Sequence, residues 1–157
     1  MIMGLPSAGK TTYAEEHDNL PEDAYLIELS KYAEDVADGP RMGPGQWQRA
    51  YKDMLESIKA DEDIIIDANN TQTSARREIM SMARDAGIDR FVLHVLCTGP
   101  KRCMKRIKPK GPDQLAKVRK MLAHQTELFM ASLPDIQQED WDEILFVQDT
   151  QHAEEAS

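Results

Sequence analysis

Gly4-Leu-Pro-Ser-Ala-Gly-Lys-Thr11 fits the pattern G-x-x-x-x-G-K-[ST] at every specified position. The chemistry of that pattern is narrow. Its glycines let the backbone curl until several N–H groups converge on one point, a cradle for phosphate oxygens. A helix beginning at Lys10 adds the positive end of its dipole. The lysine of such a loop reaches the β- and γ-phosphates of a nucleoside triphosphate, and the hydroxyl after it ligates Mg²⁺. The flanks agree, with the apolar stub Met1-Ile-Met3 before the loop and a short helical segment, Thr11 to His17, after it. Nucleoside triphosphate binding by Gly4, Ser7, Ala8, Gly9, Lys10, Thr11 and Thr12 is the expectation set by this stretch.

Outward from the loop, strands alternate with helices. Ala24 to Glu28 reads as a strand, and Asp38 to Gly45 as a loop, because three Gly and two Pro fall in eight residues. Trp47, Ala50, Tyr51, Met54, Leu55 and Ile58 form an amphipathic helical stripe. Asp63-Ile-Ile-Ile-Asp67 is a continuous apolar run ended by an acid, which suits a buried parallel strand. Thr73 or Ser74 can cap the next helix and Gly87 can end it. Phe91 to Cys97 is a further strand, and Pro100 to Arg106 a short basic helix. A long helix is expected from Asp113 to just before Pro134, then a last strand, Ile144 to Val147. This order predicts an α/β, three-layer fold of the phosphate-loop NTPase and kinase type. Its five-stranded parallel sheet carries helices on both faces and a small helical lid at about 100–113. Residues 1–147 read as one domain, and 148–157 as a flexible acidic tail.

The chain has 157 residues, enough for one domain with a real core. No apolar run approaches the roughly 20 residues of a membrane span, and no secretory signal is visible. Two cysteines, Cys97 and Cys103, make no disulfide framework or metal site. A cytoplasmic chain with reduced thiols is expected. The net charge of −9 argues against non-specific wrapping of nucleic acid. The charge is uneven, however: Lys101 to Lys120 holds nine of the 19 Lys and Arg residues, and none follows Lys120. Such a basic segment on an acidic body suits a compact polyanion.

Three stretches together resemble the polynucleotide 5′-kinase family: Gly4 to Thr12, Asp67-Ala-Asn-Asn-Thr71 with Arg76-Arg77, and Lys105-Arg-Ile-Lys-Pro-Lys-Gly-Pro112. The likeness in order and spacing spans roughly Met1 to Ala131. It implies an ATP- and Mg²⁺-dependent kinase with Lys10, Asp67 and Arg106 as catalytic residues. It also implies Arg102, Arg106 and Lys110 as lid cations on the ATP phosphates, Thr11 and Asp67 beside the metal, and nucleic acid as acceptor. At Lys110 the family usually has arginine.

The second strand departs from the family, which places there an Asp as general base and, three residues later, an Arg on the acceptor phosphate. Ser30 and Ala33 stand at those positions here, and serine cannot take a proton as a carboxylate can. Glu28 and Asp35 are the nearest carboxylates; Glu28 is favoured because a strand end at the carboxyl edge faces the site. The changed grip leaves several acceptors open: a 5′-hydroxyl, a hydroxymethyl group of a modified base, or a small nucleoside, sugar or antibiotic. A nucleotide-binding module with little catalysis is the reading from another class. Trp47 with Arg41 and Arg49 is a candidate stacking platform for a base, although heading the apolar stripe explains Trp47 as well. The oligomeric state is not legible.

Overall fold

The computed structural model describes residues 1–16, 20–36 and 39–148. Its main sheet has five strands, β1 (Ile2–Met3), β2 (Tyr25–Glu28), β5 (Ile64–Asp67), β6 (Val92–Leu96) and β7 (Glu143–Val147). They lie in the order β2-β5-β1-β6-β7, and every pairing is parallel. The helices are α1 (Lys10–Glu16), α2 (Pro44–Lys59), α3 (Thr73–Asp85), α4 (Pro100–Ile107) and α5 (Pro112–Ile136). The expected α/β architecture is therefore present.

The apolar runs are central because a parallel sheet is covered on both sides. Leu26 and Ile65 enter one core cluster, with Cys103 of α4 and Leu122, Phe129 and Ile136 of α5. Ile27, Ile64 and Ile66, their sequence neighbours, enter a second with Ala50 and Met54 of α2 and Ile79 of α3. Period-2 alternation thus sends each strand's side chains to different helix layers. Trp47 belongs to the second cluster, its ring centroid 5.6 Å from that of Tyr51; it is a packing residue of α2.

Four local expectations are corrected. The Asp38–Gly45 stretch is not all loop: β4 (Gly39–Arg41) pairs antiparallel with β3 (Glu34–Val36) in a separate two-stranded ribbon. Asp35 therefore has its backbone in β3. The β2 strand stops at Glu28, and Leu29–Lys31 forms a 3-10 turn, so strand alternation does not carry Glu28 and Ser30 to one face. The N-cap of α3 is Gln72, without a side-chain cap; the Thr73 hydroxyl donates instead to Asp135 Oδ2 at 2.9 Å. Finally, α5 runs through Pro134 to Ile136. Two tertiary anchors hold that last turn, the Thr73 bond to Asp135 and the fully buried Ile136. The tail reading for 148–157 falls, beyond Gln148, outside the described residues, as do the side chains of Asp35 and Arg41.

Candidate functional site

The phosphate loop fills the gap between β1 and α1. Gly9 takes φ 93° and Ser7 φ 60°, left-handed values that turn successive N–H groups toward one concavity. A side chain on Gly9 would be strained by that φ and would place its Cβ 3.3 Å from Arg106 Nη1. Gly4 is constrained differently, since a Cβ there would lie 3.2 Å from that of Leu96. The loop is fastened by its neighbours: Thr98 Oγ1 donates to Ala8 O at 3.0 Å, and Arg106 Nη1 to Ser7 O at 3.3 Å.

Lys10 is the first residue of α1. Its ammonium donates to Leu5 O at 2.8 Å and to Asn69 Oδ1 at 3.0 Å. Burial lowers its pKa below the ordinary lysine value, with Asp67 opposing the shift. The Thr11 hydroxyl donates to Asp67 Oδ2 at 2.6 Å. Asp67 ends β5 because the apolar run ends there, and the strand delivers it to the carboxyl edge beside the loop. The sequence-predicted residues Gly4, Ser7, Ala8, Gly9, Lys10, Thr11, Asp67 and Arg106 are thus gathered around one concavity. Thr12, the next residue of α1, is exposed.

Glu28 ends β2 in register with Asp67. Neighbouring parallel strands lie about 4.8 Å apart, so the two acids share the carboxyl edge. Glu28 is 9% exposed and forms an ion pair with Lys31 at 2.5 Å. Ser30 is exposed in the 3-10 turn. Next to it, the Tyr32 hydroxyl donates to Asp53 Oδ2 at 2.6 Å, and burial pushes the phenol above its ordinary value. Arg49 Nη2 reaches Tyr32 O at 3.4 Å; Arg49 braces the turn after β2 rather than joining Trp47 in a platform.

The lid cations divide. Arg106 reaches the loop. Arg102, one turn earlier on α4, is half-buried. Lys110 lies past the end of α4, where its backbone N–H bonds to Gln114 Oε1; among the described residues no hydrogen bond ties its side chain to the phosphate loop. Arg76 is fully buried and far from a phosphate role. It pairs with Glu139 through Nε–Oε2 at 3.0 Å and Nη2–Oε1 at 2.6 Å. Asn69, quoted in the sequence only as part of its motif, is the functional neighbour that pattern reading missed. Its signal is faint, an amide two residues after a strand-ending acid.

The site fits a nucleoside triphosphate with Mg²⁺ on two observations, the left-handed cradle at Ser7–Gly9 and the Thr11–Asp67 pair. No cluster of three or more His, Cys, Asp or Glu suited to a metal exists among the described residues. Thr11 and Asp67 would therefore hold Mg²⁺ together with phosphate oxygens, the usual arrangement for this ion. No helix among the described residues is long and apolar enough to cross a membrane.

Sheet order and loop define a P-loop domain of kinase-like fold. The AAA_33 family, an AAA domain, matches residues 1–131, and the chain belongs to that family. Among solved structures, the chain is similar to a gluconokinase from Sinorhizobium meliloti 1021. That match has 14% identity and TM-score 0.56, covering 96% of this chain and 81% of that one. It is also similar to a chain of the Pnkp1/Rnl/Hen1 complex, with 12% identity and TM-score 0.55, covering 96% and 78%. Comparison with curated proteins finds no match. The likeness spans more than one solved structure of kinase-like P-loop fold, so that fold stands and the narrower polynucleotide 5′-kinase family is not singled out.

Proposed function

We propose that this protein is an ATP- and Mg²⁺-dependent phosphotransferase with an alcohol group as acceptor. The observation that carries the reading is the joining of Lys10, Thr11, Asp67 and Arg106 around one left-handed loop. Phosphoryl transfer asks mainly for positioning and for charge opposite the phosphates. The loop N–H groups and Lys10 bind the triphosphate, and Arg106 covers it from α4, with Arg102 and Lys110 as further lid cations. Thr11 and Asp67 would hold Mg²⁺, which when bound would supply positive charge opposite the phosphate oxygens. Glu28, at the same sheet edge, accepts or orients the acceptor hydroxyl's proton.

For the acceptor we favour a hydroxyl of nucleic acid, either a 5′-end or a hydroxymethyl group on a modified base. The three motif stretches that resemble the polynucleotide 5′-kinase family support this, as does the basic segment of the lid. A small-molecule acceptor is the second reading. The acidic body and the likeness to a gluconokinase favour it, and Ser30 in place of an aspartate is the departure both must accommodate. Incubation with γ-labelled ATP and a panel of 5′-hydroxyl DNA and RNA, hydroxymethylated DNA, nucleosides and sugar acids tests the proposal. Label is expected on a nucleic acid hydroxyl. Label on a small molecule alone moves the assignment to the second reading, and ATP binding without transfer to any acceptor reduces the protein to a nucleotide-binding module.

A further inference from the structure

Both ends of the phosphate loop are held by one residue far along the chain. Asn69 accepts the Gly4 N–H at its backbone oxygen, 3.1 Å away. It also accepts the Lys10 ammonium at its side-chain Oδ1, 3.0 Å away across a separation of 59 residues.

Asn69 sits on a turn fastened on three sides. Asn70, the next residue, takes φ 51°, a left-handed conformation that asparagine tolerates better than most residues. Its buried amide donates to Ile2 O at 2.6 Å. Its carbonyl accepts Arg76 Nη1 at 2.8 Å, and Arg76 is locked in turn by Glu139. Thr71 donates to Gln125 Oε1 of α5 at 3.1 Å. The turn is therefore tied to β1, α3 and α5, and the Asn69 amide is held by a rigid support.

Asp67 lies two residues before this amide and interacts electrostatically with Lys10. Yet no ion pair joins them; Asp67 Oδ2 takes the Thr11 hydroxyl instead. A poorly hydrated ammonium beside a carboxylate gains by direct pairing. Paired in that way, the lysine would be withheld from phosphate and the carboxylate from a metal.

We propose that Asn69 is a positioning residue that keeps Lys10 and Asp67 apart. Its neutral amide oxygen holds the ammonium at the loop without neutralising its charge. Lys10 is then ready for a phosphate, and Asp67 stays on Thr11. This role rests on the proposed ATP binding and deepens it.

The experiment is titration calorimetry of the full chain with ATP and MgCl₂, on the wild type, Asn69→Leu, Asn69→Asp, Lys10→Met and the Asn69→Leu/Lys10→Met pair. Loss of one hydrogen bond to a charged group predicts that Asn69→Leu weakens ATP about tenfold. The double variant should bind no more weakly than Lys10→Met alone, because Asn69 acts through Lys10. Asn69→Asp, nearly the same shape, should also lose affinity, because a carboxylate traps the ammonium; a purely structural role predicts no such loss. Equal weakening by Asn69→Leu in both backgrounds overturns the proposal, as does wild-type affinity in Asn69→Leu. If Asn69→Leu proves unfolded by circular dichroism, Asn69→Asp decides, and undiminished affinity there overturns it. Absence of ATP binding by the wild type removes the functional reading itself, an outcome separate from those that overturn Asn69 alone.

Discussion

Glu28 is the residue on which the proposed chemistry turns, because Ser30 occupies the position where the polynucleotide 5′-kinase family has its base. The structure leaves Glu28 as the carboxylate in register with Asp67 at the sheet's carboxyl edge, whereas Asp35 has its backbone in a separate ribbon. Glu28→Gln is therefore expected to lower transfer to the true acceptor by about two to four decades while ATP binding persists. Asp35→Asn should be milder, and steady-state kinetics on both variants with the identified acceptor check the order. A reversed order would make Asp35 the base. At the same scale, Arg76 is a residue whose charge misleads. In sequence, Arg76-Arg77 belongs with the phosphate-site motif, yet the Arg76 side chain is fully buried and paired with Glu139. Removing one partner of such a pair leaves the other charged and buried, so Arg76→Met should cost about 3–5 kcal/mol of stability. Urea unfolding should show this as a lower midpoint with little change in slope. The phosphate loop was legible from residues alone because its function depends on local spacing. Asn69 and Arg76 were not, because their roles depend on partners 59 and 63 residues away, and no local pattern encodes such partners.

Among the elements, α4 is the one whose position bears most on the proposed transfer. It is short, begins at Pro100, and ends at Lys108 in a left-handed conformation, φ 48°. Its inner side carries the buried Cys103, while Arg106 reaches Ser7 O. Because Arg106 contacts the phosphate loop, Arg106→Ala should slow the chemical step in single-turnover assays by about two to three decades. Acceptor affinity should change far less. Unchanged ATP kinetics with weakened nucleic acid binding would make the segment an acceptor groove instead. The elements themselves were legible to differing degrees. Apolar runs such as Ile64–Ile66 announce buried strands, and the stripe from Trp47 to Ile58 announces α2, since both periods lie in the sequence. The β3–β4 ribbon did not announce itself: Gly39 and Pro40 read as breakers, and only pairing with Glu34–Val36 makes a strand of them. Pro134 read as a helix stop because the local rule is sound; the long-range anchors at Asp135 and Ile136 override it.

At the scale of the whole molecule, the charge map separates two surfaces. The chain has net charge −9, yet nine of its cations fall between Lys101 and Lys120, the segment from which Arg106 reaches the phosphate loop. Ligand binding should therefore be a property of the assembled fold. Saturation at about 100 times the dissociation constant adds roughly 2.7 kcal/mol to stability, a rise of about 5–10 °C in Tm for a domain of this size. Thermal scans with ATP and Mg²⁺ should show that rise in the wild type and a smaller one in Lys10→Ala. The same assembly bears on the order of events during synthesis. Ile2–Met3 occupies the middle of the sheet, between β5 and β6. A chain made from its amino end produces this strand before its two neighbours, which follow only with residues 64–67 and 92–96. The phosphate loop consequently leaves the ribosome long before Asn69, Thr98 and Arg106, the residues that fasten it. Ligand cannot assist the earliest stages of folding, and capacity to bind becomes a late marker that most of the domain has been translated and packed.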